Sequence, residues 1–160
     1  MEPEEKWNHA GISGVEESTS SYRIRIPDRL FEEEDIVSLG ERIYWAYETV
    51  GIAVISNQEL TDDNYEAVDH TDFTDSDSYR STVPKKFFED FKGRGNPTGD
   101  TSVPEKAQFE LGERRHFLYN QKMSEGDVKS CWLLNDEEFS LRFENSDSWE
   151  GDLDQVPKFI

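Results

Sequence analysis

A repeated order of residues constrains this chain more than any other feature. Tyr22, Arg23, Pro27 and Phe31 are answered by Tyr79, Arg80, Pro84 and Phe88. Leu39-Gly40-Glu41-Arg42 is answered by Leu111-Gly112-Glu113-Arg114. Tyr22 to Gly40 covers 18 positions and Tyr79 to Gly112 covers 33, so the second copy carries 15 extra residues, which fall around 92–108. A period of this length marks a repeated supersecondary unit, and such a unit buries its apolar face against its neighbour.

Each copy reads the same way locally. In the first, Arg23 to Ile26 alternates polar and β-branched residues and predicts a short strand. Pro27 presets φ at a helix start, where a missing N–H costs nothing. A short acidic helix follows, with Leu30, Phe31 and Ile36 as its apolar contacts, and Leu39-Gly40 stops it. Arg42 to Tyr47 and Gly51 to Ser56 are then spaced as a hairpin. In the second copy His116 to Tyr119 and Lys129 to Leu134 supply the two arms, joined by a longer loop near 120–127.

Strand, Pro-led helix, Gly turn and hairpin, with Arg25-Ile26-Pro27 and Leu39-Gly40-Glu41-Arg42-Ile43 inside them, resemble the AbrB/MazE swapped-hairpin family. The resemblance implies a mainly β fold with short helices (α+β), in which two repeats interleave their hairpins into one β-barrel. A tandem chain would form that barrel within itself, as a pseudo-dimer. It also implies DNA binding through the N-terminal strands and flanking loops, as in transition-state regulators and antitoxins. The family's Arg-Ile-Pro arginine falls on Arg25, whereas the second copy has Thr82 there.

The expected organisation is an acidic arm at 1–21, repeat 1 at 22–58, an acidic linker at 59–78, repeat 2 at 79–138 with its inserted loop at 92–108, and an acidic, aromatic tail at 139–160. The linker is read as solvated, with a short helix at Asp62 to Val68, and the tail as packing on the core through Phe143 and Trp149. Gly93-Arg94-Gly95 lacks the Lys-Ser/Thr ending of a phosphate loop and reads as a flexible basic loop. Asp72, Asp75 and Asp77 lack the Gly and Glu of a calcium loop. His9 reads as a solvated side chain. Cys131, the single cysteine, reads as a buried thiol and excludes an internal disulfide.

Function is narrowed by what is missing. No HExxH, CxxC or G-x-S-x-G motif occurs, so neither an enzyme nor a metal or cofactor site is expected. No apolar run is long enough to cross a bilayer, and the acidic opening Met1 to Glu5 is unlike a signal peptide, so a cytoplasmic protein is expected. Arg23, Arg25 and Arg29 in the first repeat, with Arg80, Lys85, Lys86, Lys92 and Arg94 in the second, are the candidate DNA-binding residues. Arg23 and Arg25 alternate, so both leave the face that Ile24 and Ile26 give to the core. The expected partner is double-stranded DNA. Other readings are an antitoxin-like or adaptor module whose acidic linker or tail engages a protein, an acidic DNA mimic, and further pairing of two chains.

The charge bears on all of these. Seventeen Lys and Arg face 36 Asp and Glu, for a formal −19, while 12% of residues are aromatic, enough for a packed core. The linker 59–78 carries eight acids and no Lys or Arg. So acidic a surface resembles proteins of halophilic archaea or their viruses. We expect the melting temperature to rise when salt goes from ~0.1 M to ~1 M, because screening shortens from ~10 Å to ~3 Å and self-repulsion weakens. A flat or falling melting temperature across that series, followed by circular dichroism, would remove the halophilic reading.

Overall fold

The computed structural model describes residues 7–17, 21–48, 51–73, 79–88, 103–104 and 107–143. They form eight strands: β1 Trp7–Glu17, β2 Tyr22–Arg25, β3 Arg42–Glu48, β4 Ile52–Ser56, β5 Tyr65–Asp72, β6 Arg80–Val83, β7 Arg114–Asn120 and β8 Ser130–Leu134. Three short helices accompany them, α1 Asp28–Glu32, α2 Gln121–Ser124 and α3 Asp136–Arg142, with a 3-10 turn at Lys85–Phe87. The strands make one antiparallel sheet in the order β5-β3-β4-β8-β7-β1-β2-β6. Its two edges nearly close a barrel. At the seam the Trp45 indole N–H donates to Thr71 Oγ1 at 2.8 Å, and Thr71 Oγ1 lies 2.9 Å from Ser81 Oγ. None of the described helices is long and apolar enough to cross a membrane.

The ladders follow one rule twice. β1 pairs with β7 and β5 with β3, and each β5 position lies 58 residues after its β1 counterpart. Trp7 faces Asn120 as Tyr65 faces Glu48, and Gly14 faces Arg114 as Asp72 faces Arg42. Each ladder shifts register at the same place, between His9 and Gly11 against Leu118/Phe117 and between Ala67 and Asp69 against Ala46/Trp45. Such a bulge adds one residue and bends the strand, which helps a sheet to curl. Hydrogen bonds beyond the ladders match as well. Val15 N–H donates to Glu113 C=O at 2.9 Å and Phe73 N–H to Glu41 C=O at 3.0 Å. Gly112 N–H donates to Val15 C=O at 3.0 Å and Gly40 N–H to Phe73 C=O at 2.7 Å. Both glycines have φ +85°, with nothing near the place of a Cβ, so backbone conformation and not space asks for glycine in the two turns.

Two further ladders join the halves across a local two-fold. β2 pairs with β6 so that Ile24 faces Ser81, its own counterpart in the second copy. β4 pairs with β8 so that Val54 faces Trp132, which again occupy matching places in their hairpins. Pro27 and Pro84 precede the two turns with nearly the same backbone, φ −58° and −54°. The halves therefore share backbone geometry while their side chains differ.

Inside the barrel, Ile24, Ile26, Leu30, Phe31, Trp45, Ile55, Phe73, Phe87 and Phe117 come together from both halves. Full burial of such a side chain contributes about 1.5–3 kcal/mol. Cys131 is 0% exposed there, and burial pushes its thiol well above the ordinary range. Arg115 is also 0% exposed. Its guanidinium meets Glu113 at 2.5 Å, donates to Leu133 C=O at 3.0 Å and to Gln108 C=O, and lies 4.0 Å over the Phe109 ring. The position matching Arg115 in the first half is Ile43. A second apolar layer lies outside the barrel, where α3 sets Phe139 and Phe143 on Trp7, Ile52, Val54, Leu118 and Leu134. Asn135 caps α3 by accepting from Glu138 N–H at 2.8 Å, and Asp136, Glu137 and Glu138 suit its N-terminal dipole.

Several sequence expectations change. The arm 1–21 contains β1, an 11-residue strand inside the sheet, and His9 on it is 0% exposed instead of solvated. In the linker 59–78 the helix expected at Asp62 to Val68 is replaced by β5. Both strands exist because a partner ladder from the other half satisfies their backbone, which their polar sequences do not announce. Of the inserted loop 92–108, Val103 and Ala107 are buried in the core. Its Gly93 to Gly99 lies outside the described residues, as do Asp75 and Asp77 and the tail beyond Phe143, Trp149 included.

Since β1 and β3 each need a strand from beyond residue 58, we expect a chain cut to residues 1–58 to show no cooperative monomeric melt. Mixing it with residues 59–160 should restore one. A monomeric cooperative transition for 1–58 alone, by circular dichroism with light scattering, would mean that the exchange is dispensable.

Candidate functional site

The arginines singled out from the sequence gather on the outward face of β2 and β6. Ile24 and Ile26 are 0% exposed toward the core, so Arg23 and Arg25 emerge on the other side. Arg23 faces Thr82 and Arg25 faces Arg80 across the ladder, with the Ile24/Ser81 pair between them. Like charges directly opposite in a ladder are unfavourable, and acids on either flank offset them here. Asp28 accepts from Arg25 Nη2 at 2.8 Å, and Glu16 holds Arg80 Nε at 2.5 Å. Arg29, on α1, meets Glu33 at 3.3 Å. Lys85 and Lys86 occupy the 3-10 turn that answers α1, the first half-buried and the second exposed. Lys92 and Arg94 lie outside the described residues.

Beside this face is an open cleft of about 480 Å³. Gly11, Ile12 and Ser13 of β1 form one wall, and Arg25, Asp28 and Arg29 the other. Pro27 closes on Gly11, where an added Cβ would lie 3.0 Å from its ring. Gly11 thus lets the entry to α1 sit directly on the β1 bulge. Exposed ion pairs of this kind contribute ~0–1 kcal/mol each, so the cations remain available for exchange with another anion.

A second cluster lies under α3 and escapes sequence reading altogether. His9 Nε2 is 2.9 Å from His116 Nδ1, and His116 Nε2 is 2.6 Å from Asp136 Oδ1. Arg114 Nη2 donates to the same carboxylate at 3.1 Å, and Phe139 stacks on the His116 ring with centroids 4.3 Å apart. Because Asp136 accepts, His116 carries its proton on Nε2, and its Nδ1 accepts from His9 Nε2–H. Burial lowers the His9 pKa to about 3, with His116 adding to the effect. Burial also lowers His116, against the pull of Asp136. Burial alone would raise the Asp136 carboxyl, but the hydrogen bonds from His116 and Arg114 outweigh it and hold it below the usual range. His9 and His116 are 107 residues apart, so no local motif links them. The matching positions on the β5–β3 ladder are Ala67 and Tyr44. Among the described residues no three His, Cys, Asp or Glu side chains are grouped as metal ligands.

The two imidazoles tie stability to pH. A histidine whose folded pKa is lowered binds fewer protons folded than unfolded, so its contribution is full above ~6.5 and falls as pH drops. For a shift from 6.5 to about 3, the loss for His9 between pH 7 and pH 5 is about 2 kcal/mol. Burial raises the carboxyls of Glu48 and Glu113, which act in the opposite sense nearer the carboxylate range. The comparison is therefore between the natural chain and the double variant His9→Ala/His116→Tyr, which copies the matching β5–β3 ladder. Urea unfolding at pH 7 and pH 5 should show a smaller acid loss in the variant. Equal losses would mean that the pair does not titrate with unfolding.

Comparison of the chain with protein-family models, with curated proteins and with solved structures finds no match.

Proposed function

We propose that the chain is a DNA-binding transcriptional regulator built as a single-chain, tandem AbrB-like swapped-hairpin pseudo-dimer. On this reading it acts in the cytoplasm, performs no catalysis and needs no cofactor. The observation that carries it is the β2/β6 register, which sets Arg23, Arg25 and Arg80 around a local two-fold on one outward face. A duplex backbone also has two-fold axes, and proteins with two-fold symmetry align theirs with them. Arginines on a strand pair reach both phosphates and base edges.

The net −19 charge sets the conditions. Long-range repulsion from a duplex is screened to ~3 Å in ~1 M salt, while phosphate contacts lose affinity there through counterion uptake. Binding under such conditions leans on base contacts. The ion pairs Arg25–Asp28, Arg29–Glu33 and Arg80–Glu16 favour a second reading, in which these arginines only neutralise acids and the acidic surface engages a basic protein.

Fluorescence anisotropy with duplex pools across a salt series separates the two readings. The natural chain should bind duplex, and Arg25→Ala should weaken it without moving the melting temperature, since that side chain leaves the core face. A lost phosphate contact lowers the slope of log K against log salt by about 0.9, and a lost base contact costs ~1–3 kcal/mol at one sequence position. Unchanged affinity in Arg25→Ala would reject the site. Absence of any duplex complex, together with a protein complex lost when residues 144–160 are removed, would favour the second reading.

A further inference from the structure

The two-fold of the arginine face is kept by the backbone and broken by the side chains. Residue by residue, Arg23 answers Arg80, Arg25 answers Thr82, Asp28 answers Lys85 and Arg29 answers Lys86. The shared pair, Arg23 and Arg80, brackets the two-fold and clusters near one acid. Glu16 faces Arg23 across the β1–β2 ladder and holds Arg80 at 2.5 Å. Beyond that centre the halves diverge. One side presents Arg25 with Asp28 at its flank, and the other presents Thr82 with Lys85 and Lys86.

These sets suit different tasks. A guanidinium is a planar fork of five N–H donors, and a carboxylate beside it fixes the plane of the fork. Arg25 is so fixed, with Nη2 on Asp28 at 2.8 Å while the side chain stays 45% exposed. An oriented, accessible fork is what bidentate reading of a guanine edge requires. Lysine ammonium is a compact point charge with rotatable donors, suited to phosphate and indifferent to sequence. Replacing Asp28 and Arg29 by Lys85 and Lys86 changes the formal charge of the turn from zero to +2. Thr82 is too short to reproduce the reach of Arg25.

We infer that the two halves of this face divide the work on one duplex: the Arg25 half reads bases and the Lys85/Lys86 half holds phosphates, so the chain binds in one orientation on an asymmetric site. The inference rests on the DNA-binding reading above and adds which half carries specificity. A regulator assembled from two identical chains has no means of setting such an orientation; this chain has one because its two turns differ in charge.

The test is selection of duplexes from a random pool by the full chain, followed by titration of the selected site with variants whose melting temperatures match the natural chain. The natural chain should select a site with sequence preference on one side of its centre. Arg25→Thr should erase that preference, a loss of about 5- to 150-fold on the selected site with little change on random duplex. The double variant Lys85→Ala/Lys86→Ala should weaken selected and random duplexes alike and reduce the salt slope by about 1.8. Thr82→Arg should extend the preference to the other side. A palindromic selected site, or a lysine variant that alters base preference, overturns the division of labour while leaving DNA binding intact. If the natural chain retains no duplex at any salt, the DNA-binding reading fails and the division of labour with it.

Discussion

Four of the seven ladders among the described residues join one half of the chain to the other: β1 to β7, β5 to β3, β2 to β6 and β4 to β8. Everything else in the structure presupposes those crossings. Each hairpin leaves one edge of backbone donors and acceptors unpaired, and in both cases the other half's long strand takes that edge. An edge left open is a site for unwanted pairing, and unpaired backbone that becomes buried costs free energy. Exchange meets both demands, and the bulge at the same place in each exchanged ladder lets the sheet bend round until β5 and β6 meet. Trp45, Thr71 and Ser81 finish the seam with side-chain hydrogen bonds.

Within that shared backbone the halves have separated chemically. Ile43 in one barrel wall is answered by Arg115, whose charge is matched inside by Glu113, two carbonyls and the Phe109 ring. Breaking a buried pair of this kind is costly because an uncompensated charge remains. The inserted segment thereby gains a reason to stay against the barrel, since Gln108 ends it and Phe109 follows directly. On the outer surface Ala67 and Tyr44 are answered by His9 and His116, and α3 covers that side. Burial keeps both imidazoles neutral, and Asp136 on α3 accepts the hydrogen bond from His116 Nε2–H that orients the pair.

What the sequence revealed followed from chemistry that acts over a few residues. Pro27 and Pro84 fix φ, and alternating Arg23-Ile24-Arg25-Ile26 declares its two faces, as expected; Gly40, expected to stop a helix reaching past Ile36, instead turns the chain into β3, because α1 already ends at Glu32. β1 and β5 were hidden for the opposite reason. Asn8, Gly11, Ser13 and Gly14 weaken any strand signal in β1, and Glu66, Asp69 and Asp72 leave β5 reading as a solvated linker. Their extended backbone comes from hydrogen bonds to distant ladders, and strand preference measures mostly such context. The His9–His116–Asp136 chain was hidden likewise, because its members meet only through the β1–β7 ladder and the docking of α3. That Arg23 and Arg25 leave the core face was legible, but the two-fold centre beside them was not, since Ile24 and Ser81 share no side-chain character.

The lone thiol of Cys131 sits on one of the four crossings, opposite Ile55 on the ladder that joins β4 to β8. It is 0% exposed, and burial holds it protonated. A thiol reacts as the thiolate and only where a reagent reaches it. Alkylation of this side chain is therefore gated by parting of the two hairpins, so the rate of modification clocks how often the halves come apart. The chain carries one such reporter and no other cysteine to confuse the signal.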